Sequence, residues 1–442
     1  MGLPVMTLGV STWPIVDGIE RLHGPVTVVR RCLDLTELLA AARAGLGRAA
    51  LVAEGAEEIT ASLLEQIRLG GAAVLVLEGH DHRRLAGLGA VVVPGRAAPA
   101  DAARLVEEAV AAAAGAARPA GYADVSGTPA PPDTGGSPGQ DAGPPLRPGR
   151  VVAVWGPTGA PGRTTVAVNL AAELALLGED AALVDADTYG ASVAATLGML
   201  DEAAGLAQAC RLAEQGRLDG EALRRAAADV AVAGRTVRVL TGLTRQDRWP
   251  ELRSSAMTTV LERSAHEFST TVVDCGFALE ADEELTVDTM APRRHAAALA
   301  ALERADVVVA VGAGDAIGVP RLVKALPEAV AAAPGARLVV AVNKLRRSAA
   351  GRSPELGIQE AWARFGAGSA LEQFVPWEPE TFDTALLAGA VLAETAAGSP
   401  ARAALRELAG RVLAEPEEHG GTQQPVVRGT RLGARIGAWL RR

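Results

Sequence analysis

Residues 150–165 read RVVAVWGPTGAPGRTT: an apolar run, a turn of glycine and proline, and two threonines. The run RVVAVWG has no polar alternation, so it reads as a strand buried on both faces. The next stretch, VAVNLAAELALLG (166–178), spaces its apolar residues as a helix does and ends on Gly178, which suits a C-terminal cap. A strand, a glycine-rich turn and a helix opening on threonines together make an anion cradle. Successive backbone N–H groups converge on the charge, and the helix N-terminus adds the positive end of its dipole. The cradle offers Gly156, Gly159 and Gly162, followed by Arg163, Thr164 and Thr165.

Working outward, further buried strands are expected at AALVDAD (181–187), TVRVLTG (236–242), TTVVDCG (270–276), DVVVAVG (306–312), RLVVAVNK (337–344) and QFVPW (373–377). Helices lie between them, including RHAAALAALERA (294–305) and ARAALRELAGRVL (401–413), the latter with Ser399 as N-cap and Pro400 at its first position. This pattern predicts a doubly wound parallel sheet. Two strands end on acids: Asp185 and Asp187 on one, Asp274 on another. Strand-end carboxylates could simply cap the next helix.

The first block, residues 1–117, alternates strands at VMTLGVS, VTVVRR, AALVAE, AAVLVLE and AVVVPG with helical stretches such as DLTELLAAARAG and ASLLEQIRLGG. It too should form a parallel α/β layer structure. Residues 118–149 are dense in Pro, Gly, Ser and Asp and read as a disordered linker. The second block runs over 150–415, and a polar break opens the tail, 416–442.

Composition narrows the functional classes. The chain has 442 residues, 49% hydrophobic but only 3% aromatic, with no apolar run of the roughly 20 residues that span a membrane. Its formal charge of −9 argues against a surface that coats nucleic acid, and no specific nucleic-acid partner is expected. Cys32, Cys210 and Cys275 are widely spaced, as in a reducing compartment, and the N-terminus lacks a secretion signal, so the expectation is a cytoplasmic protein. Lysine occurs only at Lys324 and Lys344; nearly all positive charge is arginine. The segment VGAGDAIG (311–318) spaces its glycines one residue too far for a dinucleotide fingerprint, and the six histidines form no ligand pattern.

The cradle GPTGAPGRTT resembles the deviant Walker A loop of the ParA/MinD superfamily, and the order of the two blocks resembles its CpaE (TadZ-like) branch, in which a degenerate receiver domain precedes the P-loop domain. The resemblance implies ATP and Mg²⁺ as ligands, with Gly159 and Gly162 shaping the loop, Arg163 in the place of the phosphate-binding lysine, and Thr165 on the α-phosphate. Thr164 and Asp185 would belong to the Mg²⁺ site, with Asp274 holding the ion through water. Asp187 would orient the attacking water, and Asn343 would contact the base beside PWEPE (376–380). It further implies a nucleotide-dependent homodimer that positions a pilus-assembly or division machine. The first block matches a receiver in order and size, yet Ser11, Thr12 and Glu54 stand where acids and a phosphoacceptor Asp belong, and the lysine is missing.

The loop departs from the superfamily pattern. Pro157 replaces a glycine, Thr158 the lysine that reaches across the dimer, Ala160 another glycine, and Pro161 has no N–H to offer. Arg163 is either a loss of function or the chain's habit of using arginine for lysine. Hydrolysis and a non-hydrolysing scaffold therefore both stay open. Arg293 and Arg294 could supply the missing charge across a dimer, or form a solvated face. In the tail, Leu432, Ile436, Trp439 and Leu440 share one helical face among arginines, the pattern of a helix lying on an anionic membrane surface through 426–442; a basic tail in solution is the alternative.

Overall fold

The computed structural model describes residues 2–116, 149–199, 203–280, 293–366 and 369–414. The linker and tail expected from sequence lie outside the described residues. The chain divides into two compact units, 1–147 and 148–442.

The first unit is built on β1 (Leu3–Leu8), β2 (Val26–Cys32), β3 (Ala49–Val52), β4 (Ala73–Leu77) and β5 (Val91–Val93). All pair in parallel, in the order β2-β1-β3-β4-β5. Alternate residues of each strand feed opposite faces. Met6 joins Leu38, Leu64 and Ile67 on one side, while Val5 joins Ile15, Ile19 and Val106 on the other. Helices therefore cover both faces, which explains why β3 and β4 are buried without alternation. The order 2-1-3-4-5 is the flavodoxin-type one, whose switch point lies between β1 and β3.

A contact closes that switch point. The Glu54 carboxylate, just past β3, accepts hydrogen bonds from the Ser11 N–H at 3.1 and 3.2 Å and from the Ser11 hydroxyl, just past β1. These bonds hold the Glu54 carboxyl below its ordinary range. Gly9, at φ +94°, lets the chain pass against Glu54; a Cβ there would overlap the carboxylate.

The second unit carries β6 (Arg150–Trp155), β7 (Ala181–Ala186), β8 (Ala228–Val232), β9 (Arg235–Leu240), β10 (Thr270–Cys275), β11 (Val307–Ala313), β12 (Arg337–Leu345) and β13 (Leu371–Pro376). Their order is β13-β12-β11-β6-β10-β7-β9-β8, parallel except for β8. The helix Arg163–Leu176 is buried along nearly its whole length, against the sheet on one side and the helix Pro400–Leu413 on the other. Its two buried polar residues are satisfied. Asn169 donates to the Thr165 carbonyl and accepts from the Leu392 N–H, and Glu173 pairs with Arg402 at 2.7 Å. The opposite face packs the helices Gly205–Glu214, Ser254–Glu267 and Ala296–Glu303.

The antiparallel edge strand β8 was not among the expected strands. It forms a hairpin with β9 through Ala233 and Gly234, both at positive φ, so that Val232 pairs with Arg235. Two residues at positive φ give the turn twist that tight hairpins prefer. The strand order turns back at β6, between β10 and β11, and the crevice where such sheets bind ligands lies past its C-terminal end. That end leads into the glycine–proline turn.

Candidate functional site

The turn between β6 and the helix Arg163–Leu176 is held in a strongly bent path. Gly159 has φ +110°, Ala160 +50° and Gly162 +96°. Gly162 is the residue preceding the helix, so the N–H groups of Arg163, Thr164 and Thr165 occupy its first turn and have no intrahelical acceptor. A Cβ on Gly162 would overlap the Asn343 amide, so only glycine lets β12 approach here. Pro157 and Pro161 leave the turn with two N–H groups fewer than a loop of the same length could offer.

Arg163 turns back into the turn. Its guanidinium donates to the Cys275 carbonyl at 3.1 Å and to the Gly156 and Pro157 carbonyls at 3.3 and 3.4 Å, and meets Asp187 Oδ2 at 3.4 Å. It also lies 5.9 Å from the Phe277 ring centre. The guanidinium is thus engaged by both the β6 and β10 strand ends.

Asp185 and Asp274 are register partners on β7 and β10, which puts two carboxylates side by side at the sheet's edge. Their environments differ. Asp185 Oδ1 accepts from the Asp187 N–H at 3.3 Å and Oδ2 from the Val193 N–H at 3.0 Å, pinning the 187–193 loop. Even so, burial pushes its carboxyl up to about 7. Both oxygens of Asp274 are buried with no hydrogen-bond partner among the described residues. Burial, followed by the Asp185 charge, raises its carboxyl well above the usual range, against a smaller lowering by the nearby Thr164 hydroxyl.

Asp187 is held as a turn-forming carboxylate. Its Oδ1 accepts the N–H groups of Tyr189 and Gly190 at 2.9 and 3.1 Å, leaving Oδ2 for Arg163. Thr164 accepts a long hydrogen bond from Ser192 at 3.4 Å. Thr165 opens the helix one residue later.

A buried carboxylate with two unpartnered oxygens, next to a threonine hydroxyl and an anion cradle, fits a hydrated divalent cation. Among the described residues no group of three or more His, Cys, Asp or Glu side chains is arranged to hold a metal by itself. A Mg²⁺ ion here would therefore use Thr164, Asp274 and water together with phosphate oxygens, in keeping with an ion that dehydrates reluctantly. The third expected ligand, Asp185, spends its oxygens on the backbone.

Two other expected residues take specific places. Asn343 Nδ2 donates to the Pro161 carbonyl at 2.9 Å and its Oδ1 accepts the Lys344 N–H at 2.8 Å, so its amide faces the turn. Arg294 lies 4.0 Å over the Tyr189 ring and donates to the Thr188 carbonyl, tying the segment after 293 to the loop that follows Asp187. Sequence reading missed two cations beside the turn. Lys344 Nζ donates to the Ala160 carbonyl at 2.7 Å, and Arg321 lies where a Cβ on Gly159 would sit. Arg321, Arg346 and Asp315 line a cavity of about 410 Å³ along the turn's outer side. The signals for Lys344 were the rarity of lysine and its place in VNK (342–344), which the resemblance puts beside the base.

Residues 148–215 match the ParA family model, described as NUBPL iron-transfer P-loop NTPase. No curated protein matches the chain. Among solved structures, the chain is similar to the septum site-determining protein MinD complexed with Mg-ADP from Pyrococcus horikoshii OT3, at 18% identity over 60% of this chain and 96% of that one, with a TM-score of 0.47. It is also similar to a ParA family ATPase from Chlorobium tepidum TLS, at 15% identity over 59% and 98%, with a TM-score of 0.49. A Cyanothece McdA complex with ATP gives 15% identity over 61% and 99%, with a TM-score of 0.46. The matched segment carries the turn and the first acidic strand end.

Proposed function

We propose that this chain is a ParA/MinD-like, CpaE-type protein that binds ATP with Mg²⁺ and acts in the spatial organisation of a pilus-assembly or division machine. The observation that carries the binding reading is Asp274: a fully buried carboxylate whose oxygens lack hydrogen-bond partners among the described residues, beside Thr164 and the start of a helix. Burying such a group without a partner is costly, and a cation bound with phosphate removes the cost. When bound, Mg²⁺ would neutralise phosphate charge. The chain's own residues do the rest. The N–H groups of Arg163, Thr164 and Thr165 would receive phosphate oxygens, Arg163 would supply the fixed positive charge, and Asp187 would orient a water. For Asp187 to do so, its contact with Arg163 must open.

That contact favours a second reading, a non-hydrolysing scaffold. A guanidinium engaged with three carbonyls and Asp187 can bind phosphate without releasing the carboxylate that would activate water. Phosphate release from ATP by the purified full chain separates the two: turnover supports the enzyme, and Mg²⁺-dependent binding without turnover supports the scaffold. On the same reading the first unit is a degenerate receiver that serves as a contact module, its switch point filled by Ser11 and Glu54. A homodimer formed on ATP and a cytoplasmic location, peripheral on the inner membrane face through 426–442, complete the proposal.

A further inference from the structure

The turn that would hold phosphate has lost donors to proline, and much of what fixes its path comes from β12. Two neighbouring carbonyls are gripped from outside: Ala160 by Lys344 Nζ at 2.7 Å, and Pro161 by Asn343 Nδ2 at 2.9 Å. A trans peptide points its C=O and N–H in opposite directions. Holding the Pro161 carbonyl toward β12 therefore aims the Gly162 N–H the other way. The Ala160–Pro161 peptide has no N–H, so the Lys344 grip sets the direction of the chain itself, at a residue that already sits at φ +50°.

Lys344 is specially placed for this contact. It lies in strand β12 at φ +58°, an uncommon conformation for a non-glycine residue, and the pairing of β12 with β13 slips between Val342 and Leu345. A slip of this kind re-aims a side chain out of the regular alternation. The Nζ also lies 5.5 Å from the Trp377 ring centre, with Arg346 at 5.7 Å from the same ring, and Asp315 is the acid facing this cluster. The chain uses arginine almost everywhere, even at Arg163, yet keeps lysine here. A single carbonyl calls for a compact point donor and not a planar fork.

We propose that Lys344 is a positioning residue: with Asn343 it braces the proline-substituted turn in its anion-binding shape. The consequence for affinity rests on the nucleotide-binding reading; the brace itself does not.

Amide hydrogen exchange on the ligand-free full chain tests the brace, read on peptides covering 156–168, for the native protein, Lys344→Met and Lys344→Arg. Lys344→Met is expected to speed exchange of the Val166 N–H, which donates to the Gly162 carbonyl at 2.9 Å, roughly tenfold with the melting temperature unchanged within about 2 °C, and Lys344→Arg to fall between it and the native protein. Titration with ATP and with inorganic tripolyphosphate forms the second arm. Because the brace acts on the turn, Lys344→Met should weaken both ligands by the same factor, roughly tenfold. Unchanged exchange in the turn overturns the proposal, as does a loss for ATP with none for tripolyphosphate, which would put Lys344 on the base. If the native protein binds neither ligand, the nucleotide reading fails, and the exchange result alone upholds or overturns the brace.

Discussion

Replacing Asp274 by Asn should make the ligand-free protein more stable and at the same time destroy its Mg²⁺-dependent binding of nucleotide. Asp274 is 1% exposed, and no hydrogen bond to its side chain would be lost, because neither oxygen has a partner among the described residues. Burial, followed by the Asp185 charge, holds the Asp274 carboxyl well above the usual range, so charging it in the fold is penalised. An unpartnered buried carboxylate costs more than an unpartnered carboxamide, whose penalty is about 2 kcal/mol, and the gain at alkaline pH is on the order of 2 kcal/mol, or about 4 °C in melting temperature for a unit of this size.

The pH dependence follows from the direction of the shifts. A carboxyl whose folded pKa lies above its unfolded value holds a proton that the unfolded chain gives up. Stability is therefore full below the unfolded value and is lost as pH rises through the raised folded one. Thermal unfolding in chelator should show the Asn variant about 4 °C above the native protein at pH 8, with the gain gone at about pH 3, where the carboxyl is largely protonated in both states. An Asn variant no more stable than the native protein at pH 8, or equally stabilised at both pH values, would refute the reasoning.

Other outcomes follow from the same contacts. Arg163→Lys removes several of the guanidinium's bonds to the strand ends and Asp187, so if arginine is a brake, phosphate release should rise severalfold; an unchanged rate makes the arginine a matter of composition. Acetyl phosphate should leave no acid-labile phosphate on the first unit, where Ser11 fills the space around Glu54; stable labelling there would contradict the degenerate-receiver proposal. Full-length protein should co-sediment with anionic liposomes less as salt rises, and neither a chain ending at 425 nor Trp439→Glu should sediment; equal sedimentation of all three removes the membrane proposal.

Much of this architecture is local enough to be read from sequence. Strands such as RVVAVW and VVVAVGA carry unbroken apolar runs, and the turn from Gly156 to Thr165 announces an anion cradle by residue type alone. The acids Asp185, Asp187 and Asp274 were legible as strand ends. Their separate environments were not, because those depend on a loop folding back so that the Val193 N–H reaches Asp185, while among the described residues no donor lies within hydrogen-bond geometry of Asp274. Strand β8 was lost because DVAV is short and its turn, Ala233-Gly234, lacks the Asn-Gly or Asp-Gly signature of a tight hairpin. Lys344 was noticed as a rarity and as part of VNK (342–344), expected beside the base. Its contact with Ala160 spans 184 residues and needs a slip in strand pairing that no periodicity reveals.

Calorimetric titration of the purified full chain with ATP, in Mg²⁺ and in chelator, tests the central claim most directly. The account predicts saturable heat in Mg²⁺, its loss in chelator, and an affinity roughly tenfold weaker for Thr164→Ala, whose hydroxyl lies beside Asp274. No heat with ATP at millimolar concentration, or binding that ignores both Mg²⁺ and Thr164, would contradict it.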